Sequence, residues 1–515
     1  MNTVNSPDDI AALKQIISDL KQQNAQLEER NRLLQAILYG SKSEKRPAPT
    51  PVEQQHSLFD EAEHTVATQE PSSFMEVCVQ GHARAKRGRK PIPAEFPRVE
   101  IVHDIPEEEK TCTCGSALTR IGEEVSEKLD IIPAKIQVLR HVRPKYTCRV
   151  CEGVESEGGT VKTAPMPPQL IPQGIVTPGL LAHVAVAKYA DALPLYRQEG
   201  QFRRLGLDIS RGTLAGWMIR TAKACQPILD MLLEAIRSGP VVNMDETPVQ
   251  VLREPGRANT TKSYMWVARG GPPEKPAVLF RYSPTRAGTV AKDILGDFQG
   301  CLQTDGYLGY EAVGEQEGIV HMGCWAHVRR KFMEVEKASS GKKGSTAHAV
   351  LDGIGRLYKL ERLALDRELE HGQIAELRQA EARPLLAGIK ELLDGRVKTT
   401  PPKSLLGRAL SYALAQWPRL GIYLEDGRLR PDNNLAENAI RPFAVGRKNW
   451  LFSGHPRGAD ASAALYSLIE SAKANGVESY AYLRFLFANL PLAATKTEIQ
   501  ALLPQNIEKN RLATS

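Results

Sequence analysis

"PVVNMDETPVQVL", residues 240–252, is rich in β-branched residues and predicts a strand that carries acidic residues near its middle. Two further runs of strand character follow, "KSYMWVARGG" at 262–271 and "AVLFRYSP" at 277–284, and Gly- and Pro-containing turns separate all three. "TRAGTVAKDILGDF", residues 285–298, has helical spacing, and "CLQTDGYLGY", residues 301–310, begins with a fourth strand. The stretch therefore predicts a mixed sheet flanked by helices.

This order of three strands, a helix and a strand is typical of the start of a ribonuclease-H-like α/β domain. It places Asp245 on or just after the first strand and Asp305 at the end of the fourth. Neighbouring strands could bring the two carboxylates together, and a divalent cation is the usual reason to hold like charges side by side. With a third carboxylate they could hold two magnesium or manganese ions for phosphodiester chemistry.

The candidate for the third acid lies in "RPDNNLAENAIRPFAVGRKNW", residues 430–450. Asp432 or Asn433 can cap a helix that Pro442 is expected to interrupt. Glu437 lies on this helix, which arrives after the sheet in the chain. We therefore predict that Glu437 completes the acidic site, and that the basic residues after it contact DNA phosphates: Arg441, Arg447 and Lys448.

Two other acids compete for a place in this site. Glu246 adjoins Asp245, but neighbouring residues of a strand point to opposite faces, so it is interpreted as a neighbour and not a ligand. Asp432 precedes the helix and is better placed to act as a cap than as the third acid. Glu437 remains the preferred candidate.

The N-terminal residues 8–40 predict a two-stranded parallel coiled coil. Leucines recur seven apart from Leu13 to Leu34, and isoleucine, asparagine and leucine occupy the other seam. A single amphipathic helix packed on its own domain is the alternative. Residues 41–98 are polar and predict a linker, within which "HARAKRGRKPIP" could enter an A·T-rich minor groove or be a solvated strip; its basic residues are Arg84, Lys86, Arg87, Arg89 and Lys90.

Two close cysteine pairs predict a zinc-ribbon-like module over residues 99–163. Four thiolates from two tight turns suit one tetrahedral structural zinc ion, and the residues are Cys112, Cys114, Cys148 and Cys151. The first pair is C-x-C, tighter than the usual C-x-x-C, so His103 or Cys78 could replace one ligand. Four buried free thiols are the alternative.

Residues 175–236 are predicted to be helical, with the form of a helix-turn-helix. One helix should end near 205–206, and Ser210 should cap the next. On that second helix Arg211 and Arg220 could face DNA while apolar residues pack inward, namely Leu214, Trp217 and Met218. A plain helical hairpin is the alternative.

The predicted catalytic domain spans residues 238–460 and is interrupted by a helical insertion at 345–425, with a helical tail at 461–510. The insertion could shape a DNA channel or a dimer contact, or be a passive spacer. The whole chain is thus interpreted as a multidomain α+β protein: coiled coil, zinc module, helix-turn-helix region, ribonuclease-H-like domain and helical tail.

Composition limits the class of protein. The 515 residues carry a formal charge of +7, which favours an anionic partner if the basic residues cluster. No apolar run is long enough for a membrane span or a signal-peptide core, so a soluble cytoplasmic protein is expected. Eight cysteines are too few for a disulfide scaffold. Those outside the zinc module and its alternatives are expected to be core thiols: Cys225, Cys301 and Cys324.

Four blocks of the sequence carry a family resemblance: "VNMDETPVQVL", "LQTDGYLGYEAV", "GCWAHVRRKFMEV" and the segment from residue 430 to 476. Together they closely resemble the TnpC-type transposases of the insertion sequence 66 family, in the DDE superfamily. The resemblance covers nearly the whole chain, including a leucine-zipper-like start and a zinc-finger region. It implies a catalytic triad of Asp245, Asp305 and Glu437.

The resemblance also implies a reaction and partners. The expected enzyme cleaves the ends of an insertion sequence and joins the freed 3′-hydroxyl to target DNA, as a homodimer or higher assembly with possible accessory proteins of the same element. Such a protein would be associated with the bacterial nucleoid when bound to DNA. His327 could contact the scissile phosphate or the leaving group, with Arg329 and Arg330 on DNA, or it could be structural. A non-catalytic zinc-dependent DNA-binding regulator on a nuclease-like scaffold is the alternative function.

Overall fold

The structure is a computed structural model that describes residues 136–147, 161–338 and 344–512, and part of an N-terminal helix, at residues 14–17, 19–21, 23–24, 27–28, 31 and 35. The described residues between 14 and 35 are helical and exposed, in the segment predicted to form a coiled coil. The chain divides into two compact units, one made of Met1–Glu44 with Arg143–Ser515 and the other of Lys45–Val142.

Several predictions lie outside the described residues. They are the basic strip, which includes Arg84, Lys86, Arg87, Arg89 and Lys90, and the four proposed zinc ligands with their alternatives, Cys112, Cys114, Cys148, Cys151, His103 and Cys78. What the structure describes nearby is a short antiparallel pair, β1 (Lys145–Thr147) with β2 (Val161–Thr163). Within the described part of the chain, no helix is both long and apolar enough to cross a membrane.

Between residues 161 and 240 the structure describes four helices before the main sheet: α1 (Pro178–Tyr189), α2 (Leu195–Arg204), α3 (Arg211–Ala224) and α4 (Gln226–Arg237). After α2 the chain turns at Gly206, whose φ of +84° is readily adopted only by glycine. The Ser210 side chain then accepts a hydrogen bond from the backbone N–H of Thr213, 3.2 Å away, and caps α3 as predicted. The three apolar residues of α3 predicted to pack inward are buried, and both arginines are exposed.

Six strands form the main sheet: β3 (Val241–Val251), β4 (Lys262–Gly270), β5 (Ala277–Ser283), β6 (Gly300–Gln303), β7 (Ile319–Met322) and β8 (Phe452–Ser453). Their order is β5-β4-β3-β6-β7, and β8 pairs with the end of β3. The first three strands are antiparallel, whereas β6 and β7 run parallel to β3. The helix predicted between β5 and β6 is α5 (Gly288–Leu295). The protein is therefore a mixed α/β structure with a mixed sheet, as the strand pattern predicted.

Helices occupy the stretch predicted as an insertion. They are α7 (Trp325–Ala338), just before it, then α8 (Thr346–Asp366), α9 (His371–Leu377), α10 (Arg383–Val397) and α11 (Leu405–Leu420); the short α6 (Glu311–Gly314) precedes β7. Helices α7, α8, α10 and α11 share a hydrophobic core distinct from the one beneath the sheet. Amphipathic helical spacing produces such a second core because each helix buries its apolar face against the others.

The C-terminal helices are α12 (Asn434–Trp450), α13 (Pro456–Ala474), α14 (Ser479–Asn489) and α15 (Lys496–Gln500). The prediction that Pro442 interrupts the Glu437 helix is wrong, since α12 continues through it to Trp450. Tertiary packing outweighs the lost hydrogen bond: Phe443, the next residue, is fully buried and its ring centroid lies 5.3 Å from that of Tyr466 on α13.

Helix α13 covers the free edge of the sheet and runs across the boundary predicted at residue 460. The Ser471 and Ser467 hydroxyls accept hydrogen bonds from the backbone N–H groups of Val278 and Phe280 on β5, at 2.9 and 2.7 Å. An unpaired strand edge is open to pairing with another chain. Helix α13 removes that liability at β5, because its serine hydroxyls satisfy backbone N–H groups of this edge strand.

Arg378 anchors the connection that leads to α12. It is 3% exposed and forms a two-bond ion pair with Glu361 at 2.9 and 2.7 Å. The same guanidinium donates to the carbonyl oxygens of Tyr423, Asp426 and Leu429 at 2.8–2.9 Å. A fixed fork of five donors suits this task, because it can satisfy a carboxylate and several carbonyls at once.

We expect Arg378→Leu to lower the free energy of unfolding by about 3–5 kcal/mol, because it leaves a largely buried carboxylate and three carbonyls without their donor. The matched control is Arg383→Leu, which removes an ion pair with Glu425 whose side chains are 54% and 63% exposed. That change should cost less than about 1 kcal/mol. Guanidinium unfolding followed by tryptophan fluorescence would measure both, and similar losses in the two variants would contradict the anchoring role.

Candidate active site

A network of three buried amide side chains joins the elements that carry the predicted acids. Asn243 of β3 and Gln303 of β6 are register partners, and the Asn243 side-chain nitrogen donates to the Gln303 side-chain oxygen at 2.8 Å. The same nitrogen donates to the side-chain oxygen of Asn433, 3.1 Å away, at the start of α12. Asn433 in turn donates to the Met244 carbonyl at 2.8 Å, and Gln303 donates to the Arg430 carbonyl at 2.9 Å.

The network lies next to each acid in sequence. Asp245 is two residues after Asn243, Asp305 is two residues after Gln303, and Glu437 is one helical turn after Asn433. Residues two apart on a strand share a face. The amides therefore fix the backbone positions from which the three carboxylates project.

Asp245 lies in the middle of the central strand and is half-buried. Its pKa is raised to about 8, first by burial and then by the negative charge of Glu246, with smaller contributions from Asp305 and Glu437. Its side chain also accepts a hydrogen bond from the Glu246 backbone N–H at 2.8 Å, which opposes the rise. The negative charges of Asp305 and Glu437 both reach Asp245, although more weakly than that of Glu246.

Glu246 is engaged by other partners. Its side chain is 1% exposed, accepts from the Arg286 guanidinium at 2.7 Å and accepts from the Tyr310 hydroxyl. The Arg286 guanidinium also lies 3.6 Å from the ring centroid of Tyr307. These contacts agree with the interpretation of Glu246 as a neighbour of the site. Sequence reasoning missed Arg286 and Tyr310, although both lie in the quoted strand and helix blocks that carry the acids.

Asp305 follows the end of β6 and accepts a hydrogen bond from the Tyr307 backbone N–H at 3.0 Å. The Thr304 hydroxyl donates to the Asp305 carbonyl oxygen at 2.8 Å and is also 2.8 Å from Nε2 of buried His321. Burial lowers the pKa of His321 to about 4. The imidazole is therefore neutral near pH 7 and supports the loop through Thr304 without adding charge.

Glu437 lies in the first turn of α12, and its side chain is 19% exposed. One carboxylate oxygen accepts from Arg330 at 3.2 Å, and the other is 3.5 Å from Nδ1 of His327. Burial lowers the pKa of His327, while the negative charge of Glu437 opposes that shift. The predicted DNA contacts His327 and Arg330 are thus neighbours of the third acid.

Cys324 ties the starts of two helices together. It directly precedes α7, and its buried sulfur accepts from the Asn433 backbone N–H at 3.2 Å and from the His327 backbone N–H. Burial raises the pKa of the thiol to about 12. Cys324 is a buried thiol, as expected, but its position beside Glu437 and His327 was not foreseen from the sequence.

Asp432 has the capping contacts expected of it. It is 7% exposed, and its side chain accepts from the Asn434 backbone N–H at 3.2 Å and pairs with the Tyr358 hydroxyl. Asn433, the other predicted cap, makes no side-chain capping bond and enters the amide network instead. Asp432 is therefore engaged in capping the start of α12.

The three acids lie farther from one another than the members of a different group, which also includes Glu437. Among the described residues, three candidate ligands come within 4.8 Å of one another at Cys324, His327 and Glu437, and the predicted triad does not form such a group. Asp245 and Asp305 each accept a local backbone N–H, and Glu437 is paired with Arg330. Asp245 and Asp305 thus bond to the backbone beside them, whereas Glu437 bonds to a side chain of α7.

The basic residues of α12 divide into two kinds. Arg447 is half-buried and donates to the Thr247 hydroxyl at 3.1 Å, two residues from Asp245 on β3. Burial lowers the pKa of its guanidinium, which is nevertheless charged at neutral pH. Arg441 and Lys448 are exposed. Arg447 is thus the basic residue placed beside the central strand, and the other two project to the surface.

We expect Asn433→Ala to lower the free energy of unfolding by about 2–3 kcal/mol, because the side chain of Asn243 and the carbonyl of Met244 would each lose a buried hydrogen bond. Asn438→Ala, on the same helix but exposed, should change it by no more than about 0.5 kcal/mol. Chemical unfolding of both variants would measure the difference. Equal stability would show that the amide network does not hold α12 in place.

The pKa of Asp245 predicts a pH dependence of stability without added divalent cations. The unfolded carboxyl titrates near pH 4, whereas the folded one titrates at about 8. The folded state therefore holds a proton that the unfolded state has released, so stability falls as the pH rises through this window. We expect Asp245→Asn to remove this loss, so that its melting temperature gains on the wild type between about pH 5 and pH 9.

The control for this measurement is Asp208→Asn, at an exposed carboxylate in the turn before α3. Its melting temperature should follow that of the wild type at every pH. A constant offset between Asp245→Asn and the wild type across the range would contradict the raised pKa.

Comparison with known proteins identifies the family to which this chain belongs. Models described as "Transposase IS66 family", "zinc-finger binding domain of transposase IS66" and "IS66 C-terminal element" match residues 173–461, 109–152 and 467–505. A model described as "Transposase C of IS166 homeodomain" matches residues 26–101.

Curated relatives come from Sinorhizobium fredii. The uncharacterized protein y4jD is 33% identical over 97% of this chain and 96% of its own length, and y4qI is 34% identical over 98% and 93%. The first family model alone covers more than half of the chain. The chain therefore belongs to the IS66 family of transposases.

Proposed function

We propose that the protein is a DNA transposase that cleaves insertion-sequence ends and joins the freed 3′-hydroxyl to target DNA. The observation that carries the proposal is the raised pKa of Asp245, to which the charges of Asp305 and Glu437 contribute. Three carboxylates from a central strand, the next parallel strand and a later helix would thus face one reaction site. Such uncompensated charge favours hard divalent cations, which carboxylate oxygens bind well.

Asp245, Asp305 and Glu437 would hold magnesium or manganese, two ions in all. When bound, these ions supply charge stabilisation for the attacking and leaving oxygens of a phosphodiester. Arg447 would orient a phosphate beside β3, and exposed Arg441 and Lys448 would bind flanking phosphates. In the first step a water oxygen bonds to phosphorus and the 3′-oxygen leaves with a proton; in the second, that 3′-hydroxyl attacks a target phosphodiester and displaces its 3′-oxygen.

A ribonuclease-H-like catalytic domain is part of the proposal. Its support is the sheet order β5-β4-β3-β6-β7, with three antiparallel strands followed by two strands parallel to the central one. Asp245 lies on the central strand and Asp305 follows its parallel neighbour, positions from which the two acids would act together. Residues 238–460, with α13 packed against their edge strand, form this domain.

The other modules would bind DNA and assemble the protein. The helix-turn-helix exposes Arg211 and Arg220 on α3, where they would be available to bind DNA. The zinc module, with one structural ion on Cys112, Cys114, Cys148 and Cys151, and the basic strip would add recognition of the element ends. The coiled coil would pair two protomers so that both ends are held together, with accessory proteins of the element as further partners, at the nucleoid in the bacterial cytoplasm.

The experiment that tests the function is an end-cleavage and strand-transfer assay with cognate element ends, target DNA and magnesium. We expect Glu437→Gln to reduce both activities to background while DNA binding stays intact, because the amide keeps the shape but loses the charge. Glu425→Gln, at an exposed ion pair on the segment before α12, is the matched control and should retain activity.

Substantial cleavage by Glu437→Gln would contradict the assigned triad. If the wild type binds element ends but never cuts them with magnesium or manganese, the protein is a DNA-binding regulator. Cut ends that never join target DNA would identify a nuclease without strand transfer.

A further inference from the structure

Glu437 belongs to a second group of donor side chains besides the acids. Cys324 directly precedes α7 and His327 lies in its first turn, three residues apart and therefore on one face. Glu437 reaches the same place from the first turn of α12. One ligand atom from each residue lies within 4.8 Å of the other two.

The geometry of the pair His327 and Glu437 is poor for a hydrogen bond and good for a shared ion. Nδ1 of His327 and the near oxygen of Glu437 are 3.5 Å apart. Both atoms are buried, and neither has a hydrogen-bond partner among the described residues. Two donors bound to one tetrahedral zinc at about 2.0–2.1 Å would be about 3.4 Å apart.

A purely structural role accounts for only part of this group. The Cys324 sulfur accepts two backbone N–H groups and so caps α7, which explains the thiol. The structural role leaves Nδ1 of His327 and the near oxygen of Glu437 buried and facing each other without a hydrogen bond. Such an arrangement costs free energy unless a third group satisfies both atoms. The other oxygen of Glu437 accepts from Arg330, an arrangement that would support a carboxylate bound through one oxygen.

We propose that Cys324, His327 and Glu437 bind one zinc ion, separate from the ion of the zinc-finger module. The choice of metal follows from the donors: sulfur, imidazole and a single carboxylate suit zinc, whereas magnesium requires an oxygen shell. Binding displaces the thiol proton and leaves a fourth position for water. Zinc at this position takes Glu437 from the acidic site, so zinc inhibits DNA cleavage; this consequence rests on the proposed function.

The direct test is the zinc content of the full-length protein after equilibration with zinc and removal of unbound ion. The wild type should hold one zinc per chain more than Cys324→Ser, because serine lacks the soft ligand. Cys225→Ser is the matched control, since Cys225 is a fully buried thiol between α3 and α4, far along the chain from this group. It should retain the wild-type content, and the zinc-finger module contributes equally to all three.

Equal zinc content in Cys324→Ser and the wild type would overturn the proposal. If circular dichroism shows that Cys324→Ser is misfolded, His327→Ala is the second variant. It too should hold one zinc fewer than the wild type. Cobalt substitution gives an independent readout. The absorbance of the thiolate-to-cobalt band should be lower in Cys324→Ser by the contribution of one cysteine, and it should be unchanged in Cys225→Ser.

The inhibitory consequence has its own test in the end-cleavage assay. Added zinc should reduce magnesium-supported cleavage, and excess magnesium should restore it, since both ions compete for Glu437. Zinc binding without inhibition would overturn the competition while leaving the site in place. Because zinc content is measured without DNA, failure of the metal site and failure of the transposase function give different results.

Discussion

The hydrogen-bonded trio Asn243, Gln303 and Asn433 is the constraint on which the rest of the site depends. Buried amides must find partners, and these three satisfy one another only when β3 and β6 pair in the observed register and α12 begins against β3. A shift of one residue in β3 would turn Asn243 out of the network and Asp245 to the opposite face. The network therefore fixes the alignment of β3, β6 and α12, the three elements that carry or precede the candidate acids.

The electrostatics of the site follow from this alignment. Burial and neighbouring carboxylates raise the pKa of Asp245, which lowers the stability of the folded state at neutral pH. Burial also raises the pKa of Glu246, but hydrogen bonds from the Tyr310 hydroxyl and Arg286 oppose that rise. One strand thus carries two successive carboxylates, of which Glu246 bonds to side chains of other elements and Asp245 bonds to the backbone beside it.

Elements without chemistry of their own hold this arrangement. Arg378, in the helical insertion, grips three carbonyls of the segment that leads into α12, so the insertion is more than a spacer. Cys324 joins the starts of α7 and α12, and α13 closes the edge of the sheet through two serines. The position of Glu437 is consequently set by contacts from residues as distant in sequence as Asn243 and Arg378.

The sequence by itself determined the order of strands and helices, because β-branched runs, helical spacing and caps are local signals. It also identified Ser210 as a cap, the inward face of α3, and Asp245, Asp305 and Glu437 as candidates for one acidic site. The continuation of α12 through Pro442, the amide network, the burial of Arg378 and the meeting of Cys324, His327 and Glu437 were decided by the tertiary structure. Each depends on partners far apart in the chain, whose proximity no local pattern encodes, and packing of those partners overrides local preference.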